Sequence, residues 1–227
     1  MSFSKRLLLN RSSRTVCIMN KICFSILISL SSVLVKAQGA QLNFTGDARE
    51  IGDFHYTIDL VNGANQTGGA WYAQSFNLDS SFSIDVAVGF GGLGAEGFAI
   101  VLSSDSIPVG AGGEQLGVPT AGKSFIVEFD LQQNALTTDA VAPHSSFFKN
   151  GSLMHQGPDV LLDATLSSDL LSNETFRITW YPEIQKFEIQ RNNCTDNDLF
   201  YIEDIKDTIF EGNSKVFFGF TAATSAV

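Results

Sequence analysis

Residues 81–90 constrain the fold more than any other stretch. Phe82, Ile84, Val86, Val88 and Phe90 alternate with Ser81, Ser83, Asp85, Ala87 and Gly89. A side-chain period of two belongs to a β-strand with one buried face. The same period recurs at Phe176, Ile178 and Trp180 against Arg177 and Thr179. Phe187 and Ile189 follow beyond Pro182, which predicts a hairpin. Residues 98–102, 124–129 and 216–220 are short apolar runs bounded by turn residues, the pattern of strands buried on both faces. No helical periodicity, heptad or internal repeat interrupts them, and no Pro/Ser-rich linker divides the chain. Many strands at short spacing with Gly-rich turns predict an all-β fold, an antiparallel β-sandwich or jelly roll. With 227 residues, 44% of them hydrophobic and only 17% charged, the chain can bury a sizeable core and is not a disordered one.

Charge is unevenly placed. Residues 1–37 hold six basic residues and no acid, which leaves eight basic against 24 acidic residues in 38–227, a formal charge of −16. Such a body repels phosphate backbones and argues against nucleic-acid binding. Residues 22–35 form an apolar run after Lys21, and Val35 and Ala37 supply small residues before Gln38. This pattern predicts a leader over 1–37 with a signal peptide, Met19 being an alternative start. The run is shorter than the roughly 20 residues a membrane span needs, so no span is expected after cleavage. A buried helix or an anchor is the competing reading. The expectation is a secreted or cell-surface protein whose body is residues 38–227. Cys194 is then the lone thiol of the body, so no internal disulfide supports the fold. Five Asn-x-Ser/Thr triplets lie in the body, at Asn43, Asn65, Asn150, Asn173 and Asn193.

The chemistry concentrates in residues 127–144. On a strand, Glu128 and Asp130 point to one face about 6.6 Å apart and need a counter-charge. Asn134, Asp139 and His144 follow. Oxygen donors suit Ca²⁺, and a carboxylate site that also takes an imidazole suits Mn²⁺ or a similar ion. Singly, each acid reads as a solvated loop residue. Jointly, the spacing E-x-D-x₃-N-x₄-D-x₄-H describes a site for two adjacent cations, with Asp130 and Asp139 shared.

These residues resemble the L-type lectins, a concanavalin-like family that includes legume lectins and secreted bacterial-type domains. The resemblance covers most of residues 40–226. It rests on Gly69-Ala70-Trp71-Tyr72, on residues 94–102 beginning Gly94-Ala95-Glu96-Gly97, and on Gly112-Gly113-Glu114-Gln115-Leu116-Gly117. It continues through the stretch from Glu128 to His144 and ends at Gly219-Phe220-Thr221-Ala222-Ala223-Thr224. It implies a Mn²⁺-like ion at Glu128, Asp130, Asp139 and His144, and Ca²⁺ at Asp130, Asn134, Asp139 and the backbone carbonyl of Gln132. It implies carbohydrate binding by Asn134, Glu96 and Gly112 or Gly113, with the metals fixing the loop rather than doing chemistry. Glycans or glycoconjugates are then the partners, and a homo-oligomer is compatible with the pattern. Three features depart from the family. Glu96 stands where an Asp is usual, and Gln132 stands where an aromatic often stacks on the sugar. The family also continues past Thr224 into a further strand, so with Val227 as its last residue the sequence is expected either to be a fragment or to lack that strand.

Two rivals remain open. A retaining glycoside hydrolase on a related jelly roll would use Glu128-Phe129-Asp130 as half of its signature, but it needs a second carboxyl about 5–5.5 Å from the nucleophile. The positions that would supply it are Gln132 and Gln133, whose amides cannot donate and recover a proton. A β-sandwich adhesion or structural module with the metals retained would bind protein instead. Trp71 and Trp180 are expected in the core, and His55 and His155, which lack acidic neighbours at ligand spacing, at the surface.

Overall fold

The structure is a computed structural model that describes residues 28–30, 41–51, 58–90, 94–105, 110–133, 143–152, 154–156, 160–161, 172–191 and 198–225. In chain order the strands are β1 (Ile28–Leu30), β2 (Leu42–Gly46), β3 (Arg49–Glu50), β4 (Ile58–Asp59), β5 (Thr67–Tyr72), β6 (Phe76–Asn77), β7 (Phe82–Phe90) and β8 (Ala95–Ser103). After a 3-10 turn at Gly113–Gln115 come β9 (Ser124–Asp130), β10 (His144–Lys149), β11 (Val160–Leu161), β12 (Ser172–Tyr181), β13 (Lys186–Arg191), β14 (Asp198–Glu203) and β15 (Lys215–Thr224). The one α-helix among the described residues is the single turn α1 (Ile205–Thr208).

Apart from the two-stranded ribbon β3–β4, the strands form two layers, and all pairings are antiparallel. A back sheet runs β1-β7-β12-β13-β14, and a front sheet runs β11-β10-β9-β8-β15-β5-β2, with β6 added against β15. The alternating strands lie in the back sheet, as their period requires: Phe82, Ile84, Val86 and Val88 are buried, while Ser83, Asp85, Ala87 and Gly89 are partly exposed. The hairpin β12–β13 pairs Trp180 with Phe187 across a 3-10 turn that starts at Pro182. The main core lies between the layers, where Phe98, Phe125, Phe129, Phe218 and Phe220 of the front sheet meet Phe82, Phe176, Trp180 and Phe187 of the back sheet.

The apolar runs became the middle of the front sheet, and a second cluster explains why they lack alternation. Trp71, Ala99, Val101, Ile126 and Phe148 pack on the outer face under Leu116 and Val118 of the 110–120 loop. β9 is therefore buried along its whole length. Trp71 and Trp180 both lie fully in the core. β15 pairs with β8 on one side and β5 on the other, so the last described strand is central rather than an edge.

β1 lies within the run read as a signal peptide, and it pairs with β7 through Ile28 and Val86. Among the described residues no helix is long and apolar enough to cross a membrane. Asn43, Asn65 and Asn150 are exposed. Cys194, Asn193 and His55 lie outside the described residues.

Candidate functional site

The front sheet brings the polar residues together by register. Glu128 and Asp130 leave β9 on the face opposite Val127 and Phe129, which belong to the inter-sheet core. His144 of β10 lies directly across from Asp130, and Ser146 directly across from Glu128. On the other flank, Gly97 and Ala99 of β8 face Asp130 and Glu128. The two carboxylates thus have polar neighbours on one side and small ones on the other. Glu128, Asp130 and His144 are all buried. Burying carboxylates is costly unless each meets a charge or a donor.

Part of that compensation is visible. The Asp130 carboxylate accepts a hydrogen bond from the Gln132 N–H at 2.7 Å. Glu128 Oε1 lies 3.7 Å from His144 Nε2 and 2.5 Å from His155 Nε2. Burial alone would raise the Glu128 carboxyl, but hydrogen bonding and charge from His144 and His155 outweigh it and hold the group below the usual glutamate value. The Ser145 hydroxyl donates to the Glu128 carbonyl at 2.5 Å and ties β10 to β9 at this point.

His155 corrects the sequence reading. It was expected at the surface, yet its side chain is only 6% exposed and meets Glu128. Its acidic partner lies on β9, far back in the chain, so local spacing carried no signal of it. The segment 154–156 returns along β10, where the Gln156 N–H donates to the Phe147 carbonyl at 2.9 Å. That bond holds His155 over the site.

Of the remaining predicted residues, Glu96, Gly112 and Gln132 lie towards the same end of the sheet. One row of paired residues crosses it: His144 faces Asp130, Asp130 faces Gly97, Gly97 faces Ala223, and Ala223 faces Thr67. Glu96 is the extra residue of a bulge, since Ala95 pairs with Thr224 and Gly97 with Ala223. Gly97 allows this bulge, with φ +151° and a position where a Cβ would stand 2.1 Å from the Phe129 carbonyl oxygen. The Glu96 side chain is buried, and its Oε2 has no hydrogen-bond partner among the described residues. Its backbone carbonyl accepts from the Leu131 N–H at 2.8 Å, so the candidate acceptor is tied to the end of β9.

Gly112 sits beside Thr67, whose Oγ1 would be 2.3 Å from an added Cβ. It precedes the 3-10 turn, which lies against β15. Gln132, in the position of the family's stacking aromatic, donates its side-chain amide to the Ala95 carbonyl at 3.2 Å. Asn134 and Asp139 lie outside the described residues.

No protein-family model matches the sequence, and no curated protein matches it. Solved structures do match in fold. The Bauhinia forficata lectin in complex with GalNAc superposes with a TM-score of 0.65 at 21% identity, covering 88% of this chain and 92% of that one. The metal-free form of lectin I-B4 from Griffonia simplicifolia gives 0.64 at 19% identity, covering 86% and 90%. The potassium-bound carbohydrate recognition domain of Emp46p gives 0.60 at 17% identity, covering 82% of each chain. Two antiparallel layers, with the polar cluster at one end of the front sheet, give this chain the β-sandwich fold of the legume and L-type lectins.

Proposed function

We propose that the protein binds glycans without transforming them, through a cation-stabilised site at the end of the front sheet. The observation that carries this is the row from His144 to Thr67. It sets a buried carboxylate–imidazole cluster beside Glu96, whose buried Oε2 has no donor among the described residues. A sugar hydroxyl is a suitable donor, and fixed acceptors are what a sugar requires in exchange for its lost water bonds.

The donor set fits a metal. Glu128, Asp130 and His144 offer two carboxylates and one imidazole from adjacent strands, which suits Mn²⁺ or a similar transition ion. Asp130, Asn134, Asp139 and the Gln132 carbonyl are the oxygen donors we assign to Ca²⁺. Bound there, the cations would fix the loop that follows β9. Asn134 and the Gly112–Gly113 backbone complete the proposed sugar contacts. Secretion after removal of residues 1–37 is part of the proposal, supported by the apolar run and the acidic body. So is a homo-oligomer, which would multiply weak sites by avidity.

The hydrolase reading loses support from Gln132, whose amide tethers the backbone of β8 instead of standing as an acid. The same tether favours the second reading, a module that binds protein, because it replaces a stacking platform. A glycan array separates the two. The wild type is expected to retain a subset of glycans, with competition by free sugar and loss on chelation. Asp130→Ala is expected to lose about 100-fold or more in glycan affinity with its β-sheet circular dichroism intact. A wild type that retains no glycan, or an Asp130→Ala variant that binds normally, overturns the reading.

A further inference from the structure

The resemblance assigns no role to His155, and the sequence placed it at the surface. The structure puts it in a cluster with Glu128 and His144, one ligand atom from each lying within 4.8 Å of the others. The two imidazole rings have centroids 5.2 Å apart and planes at 48°. Side-chain exposure is 0% for His144 and 6% for both His155 and Glu128. Three separate segments supply these groups: β9, β10 and the residues 154–156 held to β10 by the Gln156 N–H. Strand register and a backbone bond, rather than loop chance, set the spacing.

We propose that His155 is a metal ligand and completes with Glu128 and His144 a site of two imidazoles and one carboxylate, selective for Zn²⁺-class ions over Mn²⁺ and Ca²⁺. The inference deepens the metal half of the proposed function and rests on it for the presence of a cation.

Ligand atoms around a four-coordinate ion with bonds of about 2.0–2.1 Å stand roughly 3.3 Å apart. The observed pairs, at 3.7 and 2.5 Å, bracket that spacing, and rotation of the side chains closes the difference. Two imidazoles and a carboxylate form a known zinc donor set that leaves a position open. A second nitrogen shifts preference away from Ca²⁺, which takes oxygen, and towards Zn²⁺, Co²⁺ and Ni²⁺. The same three groups also hold together without an ion, through the Glu128–His155 contact. The test must therefore read metal rather than fold.

Any mixed nitrogen–oxygen site ranks Zn²⁺ above Mn²⁺, so the ranking alone decides nothing. Its dependence on His155 does. The metal-stripped 227-residue protein and its His155→Gln variant are titrated with Zn²⁺, Mn²⁺ and Ca²⁺ by calorimetry, and with Co²⁺ by visible absorption. The wild type is expected to bind one Zn²⁺ at this site and to show ligand-field bands with Co²⁺. His155→Gln is expected to lose about 100-fold in Zn²⁺ affinity, to move Mn²⁺ and Ca²⁺ far less, and to change the Co²⁺ spectrum. Absence of Zn²⁺ and Co²⁺ binding in the wild type overturns the proposal. An unchanged Zn²⁺ affinity and Co²⁺ spectrum in the variant does so too. If the variant fails to fold, X-ray absorption on the Zn²⁺-loaded wild type takes its place: two imidazole ligands support the proposal, and one or none overturns it. Glycan retention is measured on the same samples. Its loss with the two-imidazole site intact defeats the lectin reading and leaves the metal inference standing.

Discussion

At Tyr72 a phenol ends inside the core. Its ring meets Phe76 and Phe218 edge-on at 5.1 and 5.8 Å, and its hydroxyl has no hydrogen-bond partner among the described residues. Burial pushes its pKa well above the usual 10.0, since ionising it there would strand a charge. The folded state thus keeps a proton that the unfolded chain releases above pH 10. The stability tied to that proton is fully present below pH 10 and falls as the pH rises beyond it. Tyr72→Phe is expected to hold or raise stability at pH 7, by up to about 1 kcal/mol, because it removes a buried hydroxyl that lacks a partner. The variant's loss of stability above pH 10 should also be shallower. Urea unfolding at pH 7 and pH 10.5 reads both, and a loss of more than about 1 kcal/mol at pH 7 would mean that the hydroxyl is satisfied. Single residues also mark the limit of what a sequence displays. Glu128 and Asp130 were legible as one face of a strand, and His144 was legible only through the ligand spacing shared with the lectin family. His155 was not, because only the return of residues 154–156 along β10 brings it to Glu128.

The elements follow from where each strand is covered. β7 and β12 read plainly because the back sheet packs on one face, so polar and apolar residues alternate. β8, β9 and β15 read as runs because Leu116 and Val118 cover the face that would otherwise meet water. The bulge at Glu96 was hidden in a string of glycines, since nothing in the sequence says which glycine carries the strained position. The structure identifies it as Gly97. An alanine there would drive its Cβ to within 2.1 Å of the Phe129 carbonyl oxygen, and β9 would have to move. That shift reaches Phe129, which stacks on Phe98 with centroids 4.6 Å apart, and Asp130, which pairs with Gly97. Gly97→Ala is expected to cost about 2–3 kcal/mol. Gly212 is the control, because its φ is +80° but an added Cβ meets nothing within 4 Å. Gly212→Ala should cost only about 1 kcal/mol for the left-handed backbone. Denaturant midpoints compare the two variants, and equal costs would mean that the bulge relaxes without moving β9.

At the scale of the molecule, acidity and the buried cluster act on the same property. Residues 38–227 carry a formal −16, and two of their carboxylates, Glu128 and Asp130, are buried in the front sheet. A cation can stabilise such a body in two ways. It can screen the whole surface, an effect of ionic strength over a Debye length of about 8–10 Å. It can also occupy a site that exists only in the folded chain, an effect of mass action. At a concentration 100 times its dissociation constant, a site-bound ion adds about 2.7 kcal/mol. At roughly 2–4 °C per kcal/mol for a domain of this size, the midpoint rises by roughly 5–11 °C. Chelation of the full chain is therefore expected to lower the thermal midpoint by about that amount, and micromolar to millimolar transition ion should restore it. Sodium chloride at matched ionic strength should not restore it, because screening cannot supply ligand bonds. Glu128→Ala, which removes the one carboxylate common to both proposed donor sets, should lose the response to the transition ion. Recovery in sodium chloride alone would assign the effect to the acidic surface and remove the cation from the site. A transition-ion response that survives in Glu128→Ala would place the ion elsewhere in the sandwich.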